Sequence, residues 1–161
     1  MDYGDSLCSD GSLFRETNMK SGNFQAESKR QGEMFELQAA AFLKSLGFQL
    51  LGKRTLDNIG CEVDEMALAP NGERVYFEFK GSYRGKVPGM RRTDTAKKGL
   101  LTGFLLQGIG DPIPYYILTS HLPIKGSALT MVNRSVELGA VAGVLEINTE
   151  KAQQVLQERF M

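Results

Sequence analysis

The residues of this chain whose types and spacing can do chemistry are Asp64 and the run Glu78-Phe79-Lys80. Each lies on a short apolar-alternating stretch, one from Glu62 to Leu68 and the other from Glu73 to Lys80, joined by Ala69-Pro70-Asn71-Gly72. Such a pattern predicts a β-hairpin. If the two acids face each other across it, their Cβ atoms lie about 4.5–5.5 Å apart and the charges repel. A cation must then make the pair tolerable. Lys80 is one candidate, and a hard divalent ion such as Mg²⁺ held by both carboxylates is the stronger one. The plainer alternative is a solvated charged face on an ordinary hairpin, and a pattern this short arises often by chance.

Turn chemistry sets the register. Pro70 suits the second position of a type I turn, and Gly72 can take φ > 0 and form a bulge, which makes a three-residue loop. Ala69 then pairs with Glu73 and Asp64 comes opposite Glu78, with Lys80 two residues further along the same face. A two-residue Asn-Gly loop would shift the register by one and separate the acids. Val63, Ala67, Val75, Phe77 and Phe79 are expected to form the hairpin's apolar side. Removing either acid is expected to relieve repulsion and stabilise the metal-free protein slightly.

These residues need a scaffold. At 161 residues, 42% of them hydrophobic and 24% charged, the chain has the make-up of one soluble domain with a real core. No apolar run approaches the length of a membrane span, and the N-terminus lacks a signal-peptide hydrophobic region, so a soluble, cytoplasmic protein is expected. Cys8 and Cys61 are too few for a disulfide framework, and with a single His there is no zinc site. The formal net charge is zero but unevenly spread. Residues 1–78 carry −5, residues 79–98 carry +6, and the remainder −1. A basic block directly after the acidic residues suits a phosphate backbone, although a solvated loop has the same composition.

Residues 1–30 are rich in Gly, Ser, Asp and Asn and are expected to form a flexible arm, with a folded domain over 31–161. Gly32 to Leu46 reads as an amphipathic helix with Phe35, Ala39, Phe42, Leu43 and Leu46 on one stripe, stopped at Gly47. Glu36 lies about 20° from Leu43 on the helical wheel, at the stripe's edge, where a carboxylate wants a partner. Glu33 can face water. A strand is expected over Phe48–Thr55, and a basic loop over Gly81–Gly89. A helix follows over Arg91–Gln107 with Ala96, Leu100, Leu101, Phe104 and Leu105 inward. Strands over Ile113–Thr119 and Ala140–Ile147 alternate with helices over Ser127–Leu138 and Thr149–Phe160. The expected class is α/β, a mixed central sheet flanked by helices in the order αβββαβ plus a C-terminal strand and helices.

Taken together, Gly32-x-x-Phe35-Glu36, Gly47-Phe48, Asp57-x-x-Gly60-x-x-Val63-Asp64 and Glu78-Phe79-Lys80 resemble the PD-(D/E)XK restriction-endonuclease-like superfamily, most closely the Mrr-type catalytic domain, over about residues 32–147. Val63 stands where the family name has Pro, and Glu78 where many Mrr-like members carry Gln. Small resolvases of four-way DNA junctions share the pattern. The resemblance implies a metal-dependent DNA endonuclease. Asp64, Glu78 and the Phe79 carbonyl would hold Mg²⁺ or Mn²⁺, Glu36 would serve a second ion or its water, and Lys80 would orient or help deprotonate the attacking water. Arg84, Lys86, Arg91, Arg92, Thr93, Lys97 and Lys98 would contact DNA phosphates. Cutting both strands of a duplex implies a homodimer or higher homo-oligomer.

Weaker candidates read as structure. His121 is a lone loop histidine that can reach a phosphate, Tyr83 a surface tyrosine that can stack on a base or sugar, and Tyr115 and Tyr116 packing residues. Cys61 has no His near it in the chain and reads as a small buried residue. Three other functions compete with the nuclease: a nucleic-acid-binding module without turnover, a subunit of a larger DNA-processing assembly, and an interaction protein whose charged hairpin is only surface.

Overall fold

The computed structural model describes residues 13–83 and 87–161. By its internal contacts the chain divides into residues 1–30 and residues 31–161. The first helix, α1 (Leu13–Ser45), starts well before Gly32, so residues 13–30, expected as an arm, are helical. Nothing between Leu13 and Gln31 stops a helix: there is no Pro, and Leu, Arg, Glu, Met, Lys, Gln and Ala dominate. Extending a nucleated helix is cheap compared with starting one. Gly47, at φ 83°, ends the element as expected.

The strand expected over Phe48–Thr55 is two strands, β1 (Gln49–Leu50) and β2 (Arg54–Leu56), separated at Gly52, whose φ of 87° no continuous strand accommodates. β2 pairs with β3 (Cys61–Val63) in a small separate sheet. The central sheet has the order β1-β4-β5-β6-β7, with β4 (Glu65–Leu68), β5 (Arg74–Lys80), β6 (Tyr115–Thr119) and β7 (Gly143–Glu146). β1, β4 and β5 run antiparallel, and β5, β6 and β7 parallel, so the sheet is mixed. The parallel connections run through α2 (Thr93–Gly108) and α3 (Gly126–Glu137), and α4 (Glu150–Phe160) follows β7 with the Thr149 hydroxyl accepting from Ala152 N–H as its cap.

Two cores flank the sheet. One face packs Ala67, Val75, Phe77, Tyr116 and Leu118 against Phe35, Phe42 and Leu43 of α1 and Leu156 and Phe160 of α4. The other packs Met66, Tyr76 and Ile117 against Leu100 of α2 and Val132 of α3, with Val63 joining it. The hairpin therefore has no single apolar side. β4 and β5 are central strands covered on both faces, and a bend at Asp64 turns Val63 to the layer opposite Ala67.

α2 is rotated from the expected orientation. Leu101 and Phe104 are 56% and 40% exposed, whereas Gly99 and Gly103 are buried with Ala96 and Leu100. A Cβ on Gly103 would collide with the Ala140 carbonyl and come within 2.8 Å of Val141 Cγ1, so the glycine face is what lets this helix approach the sheet. A short 3-10 turn, Gly89–Arg91, leads into it.

Candidate active site

β4 and β5 meet in the predicted register. Ala69 N–H donates to Glu73 O at 2.8 Å, Gly72 N–H to Ala69 O at 2.9 Å, and Gly72 has φ 87°. The ladder pairs Leu68 with Arg74 through Glu65 with Phe77 and ends there, one residue short of Asp64 and Glu78. Asp64 itself sits at the bend between β3 and β4, and its Oδ2 accepts the Phe79 N–H at 2.8 Å.

Glu78 lies in a central strand, flanked by β4 and β6, and is 6% exposed. Its Oε1 accepts a bond from Lys80 Nζ, while Oε2 is buried without any hydrogen-bond partner. Burial pushes this carboxyl above the ordinary range, the nearby Lys80 ammonium opposes the shift, and the Asp64 charge adds to it. Lys80 Nζ is also 3.8 Å from Asp64 Oδ2, so one ammonium serves two carboxylates. Two features hold Lys80 in place. Its stem runs past Gly99, where a Cβ would sit 3.5 Å from Lys80 Cγ, and its carbonyl accepts the Thr119 hydroxyl at 2.7 Å. Neither Gly99 nor Thr119 is distinguishable in the sequence from an ordinary helix glycine or strand threonine.

The donor set suits a hard cation: two carboxylates on adjoining chain segments, one with a desolvated oxygen that no protein group satisfies. Glu36 is exposed on α1 and is not drawn into a cluster with them. Among the described residues no three His, Cys, Asp or Glu side chains come together as a metal-binding group. Glu36 does share an electrostatic neighbour with Asp64. Lys53, bonded to Glu62 Oε1 at 3.1 Å, has its pKa raised first by that bond and charge and then by Asp64 and Glu36. The sequence contains no signal for Lys53, which follows Gly52 as an ordinary exposed lysine.

Of the expected phosphate contacts, Arg84 and Lys86 lie outside the described residues. Arg91 is half-buried, and its Nε donates to the Leu122 carbonyl at 3.2 Å. Arg92 is exposed and 3.3 Å from Asp94, and Thr93, Lys97 and Lys98 are exposed on the first turns of α2. Arg92, at the N-cap position, makes no side-chain cap, and the Asp94 carboxylate lies against the Asp94 and Thr95 amides of the first turn. Tyr115 and Tyr116 are packing residues as expected, the Tyr115 hydroxyl donating to Gly99 O at 2.8 Å. Cys61 is a half-buried free thiol. Glu65, which the sequence did not single out, is buried with Oε1 accepting the Gly52 N–H at 2.5 Å.

Compared with known proteins, the chain matches no family model, no curated protein and no solved structure.

Proposed function

We propose that this chain is a metal-dependent DNA endonuclease of the PD-(D/E)XK restriction-endonuclease-like type, hydrolysing phosphodiester bonds. The observation that carries the reading is Glu78, a carboxylate in the middle of a sheet with one oxygen buried and unpartnered, sharing Lys80 with Asp64. A structural ion pair has no use for an orphaned oxygen, which costs about 1–3 kcal/mol. The element order supports the same reading: a helix, the antiparallel hairpin β4–β5 bearing the acids, then α2 leading to the parallel strand β6.

Asp64 and Glu78 would hold Mg²⁺ or Mn²⁺, with the Phe79 carbonyl a further oxygen ligand. A bound ion would supply a nucleophilic water near neutral pH and charge neutralisation at the phosphate. Asp64 is fixed for binding by the Phe79 N–H, which directs one of its oxygens. Lys80, whose ammonium reaches both Glu78 and Asp64, would orient or help deprotonate the attacking water and offset charge in the transition state. Glu36, exposed on α1, would serve only as an outer ligand. The exposed cations at the start of α2 would take phosphates. The partner is DNA, the working form is a homodimer or higher homo-oligomer in the cytoplasm, and two copies supply two cuts.

The test is calorimetry with Mg²⁺ and Mn²⁺ together with cleavage of plasmid and branched DNA. The expected result is metal binding and metal-dependent cleavage by the parent, both lost in Glu78→Gln. No metal heat and no cleavage would overturn the reading. A second reading, a nucleic-acid-binding subunit without turnover, draws on the separation of Glu36 from the two other acids. DNA binding with no cleavage in either metal would favour it.

A further inference from the structure

Three residues beyond Lys80 the chain builds an aromatic surface that the proposed hydrolysis does not use. Tyr83 is 45% exposed, yet its ring is held on two sides. It lies 6.1 Å from the Phe35 ring and 6.0 Å, edge to face, from the His121 ring. Its hydroxyl donates to Gln38 Oε1 at 2.5 Å. An exposed side chain ordinarily samples several rotamers, and these contacts remove that freedom in advance.

His121 is itself anchored. Its Nδ1 is 3.0 Å from Ser120 Oγ, which donates to Ser82 O and accepts from Ser82 N–H, both at 2.9 Å. Gly81 is the residue that lets the chain reach this position, since a Cβ there would overlap the Phe35 ring. Tyr83 is three residues beyond Lys80, and His121 two beyond Thr119, the partner of Lys80 on β6. At 3.8 Å per residue, Tyr83 is within about 11 Å of Lys80. That is the span of a few stacked nucleotides at about 3.4 Å rise.

We propose that Tyr83, held by Phe35 and His121, is a stacking platform for an unpaired base next to the phosphate to be cut. The substrate class is then DNA with a single-stranded segment at the cleavage point, as in a fork, flap or branch. A base inside an intact duplex is covered on both faces by its neighbours, and an exposed, immobilised tyrosine gains nothing from it. An unpaired base offers a free face, and stacking on it is indifferent to sequence. This proposal rests on the nuclease reading above and assigns its substrate.

The test is equilibrium binding, with Ca²⁺ replacing Mg²⁺ to prevent turnover. A forked DNA carrying 2-aminopurine at the first unpaired position is compared with a blunt duplex of equal length. The parent is expected to bind the fork more tightly and to quench the probe. Tyr83→Ala should weaken fork binding by about tenfold and lose the quenching while leaving duplex binding unchanged. Tyr83→Phe should retain both. Parental fork affinity and quenching in Tyr83→Ala would overturn the platform, as would an equal loss on fork and duplex. Failure of the nuclease reading looks different: the parent would bind neither DNA, or would bind and quench the fork in Ca²⁺ yet leave it uncut in Mg²⁺ and Mn²⁺.

Discussion

Lys80 Nζ bonds one oxygen of Glu78 and leaves the other, buried in the same side chain, without a partner. The arrangement is unbalanced in a definite direction. Glu78 has been taken out of water, and a single ammonium, also 3.8 Å from Asp64, does not offset the desolvation. A divalent ion would.

Glu78→Gln should therefore stabilise the metal-free protein at neutral pH, by about 1 kcal/mol, or roughly 3 °C in Tm. The folded pKa of Glu78 is raised above its unfolded value, chiefly by burial. The native state thus carries no ionisation penalty below the unfolded carboxylate pKa of about 4.3, and loses stability as pH rises through the folded pKa. Thermal melts should show the gap between variant and parent small near the low end and wider towards neutrality. Added Mg²⁺ should raise the Tm of the parent and not of the variant. An equal gap at every pH would show that Glu78 is not destabilised as an anion.

Asp64 is expected to behave oppositely. The sequence treats the two acids alike, so that losing either should relieve repulsion. The structure commits Asp64 Oδ2 to the Phe79 N–H, so Asp64→Ala forfeits a charge-assisted bond and should cost about 1–3 kcal/mol. Asp64→Asn keeps an acceptor and should cost less. Both should abolish cleavage, and urea denaturation beside an activity assay separates the two effects. Glu36→Ala should slow cleavage more than Glu33→Ala, and the reverse order would remove Glu36 from the site.

Gly103→Ala should destabilise by about 1–3 kcal/mol through overpacking, since its Cβ meets the Ala140 backbone and the Val141 side chain. Gly108→Ala, in the same helix with nothing within 4 Å, should be neutral or stabilising by up to about 1 kcal/mol. Equilibrium unfolding of the two variants checks the orientation of α2 directly. Equal effects would mean that the glycine face is not the one packed on the sheet.

Replacing Arg92, Lys97 and Lys98 together by Gln should lower the log–log salt slope of DNA binding by about 2.7, since each phosphate left without its cation removes about 0.9. Arg91 is left in place because its Nε supports the Leu122 carbonyl. Metal binding at Asp64 and Glu78 should survive, as read by calorimetry. An unchanged slope would mark these cations as a solvated face.

Much of the candidate site is legible locally. Ala69-Pro70-Asn71-Gly72 specifies its own turn, because Pro fixes one φ and Gly supplies a positive one, and the turn sets the ladder that runs to Glu65 opposite Phe77, next to Asp64 and Glu78. The helix stripe around Phe35 and Leu43 and the alternation of strands and helices are likewise matters of nearest neighbours along the chain. What sequence could not reveal depends on residues far apart meeting. Leu101 and Phe104 are more apolar than Gly99 and Gly103, but proximity to Ile117, Ala140 and Lys80 favours the absence of a side chain, so the glycines face inward. Tyr83 and His121 are separate, ordinary residues until Gly81 lays the chain against Phe35 and brings their rings together. The two acids look equivalent in sequence, and only the packed sheet distinguishes them: a backbone amide satisfies Asp64, while the strands on either side of Glu78 exclude water and leave one of its oxygens unpaired.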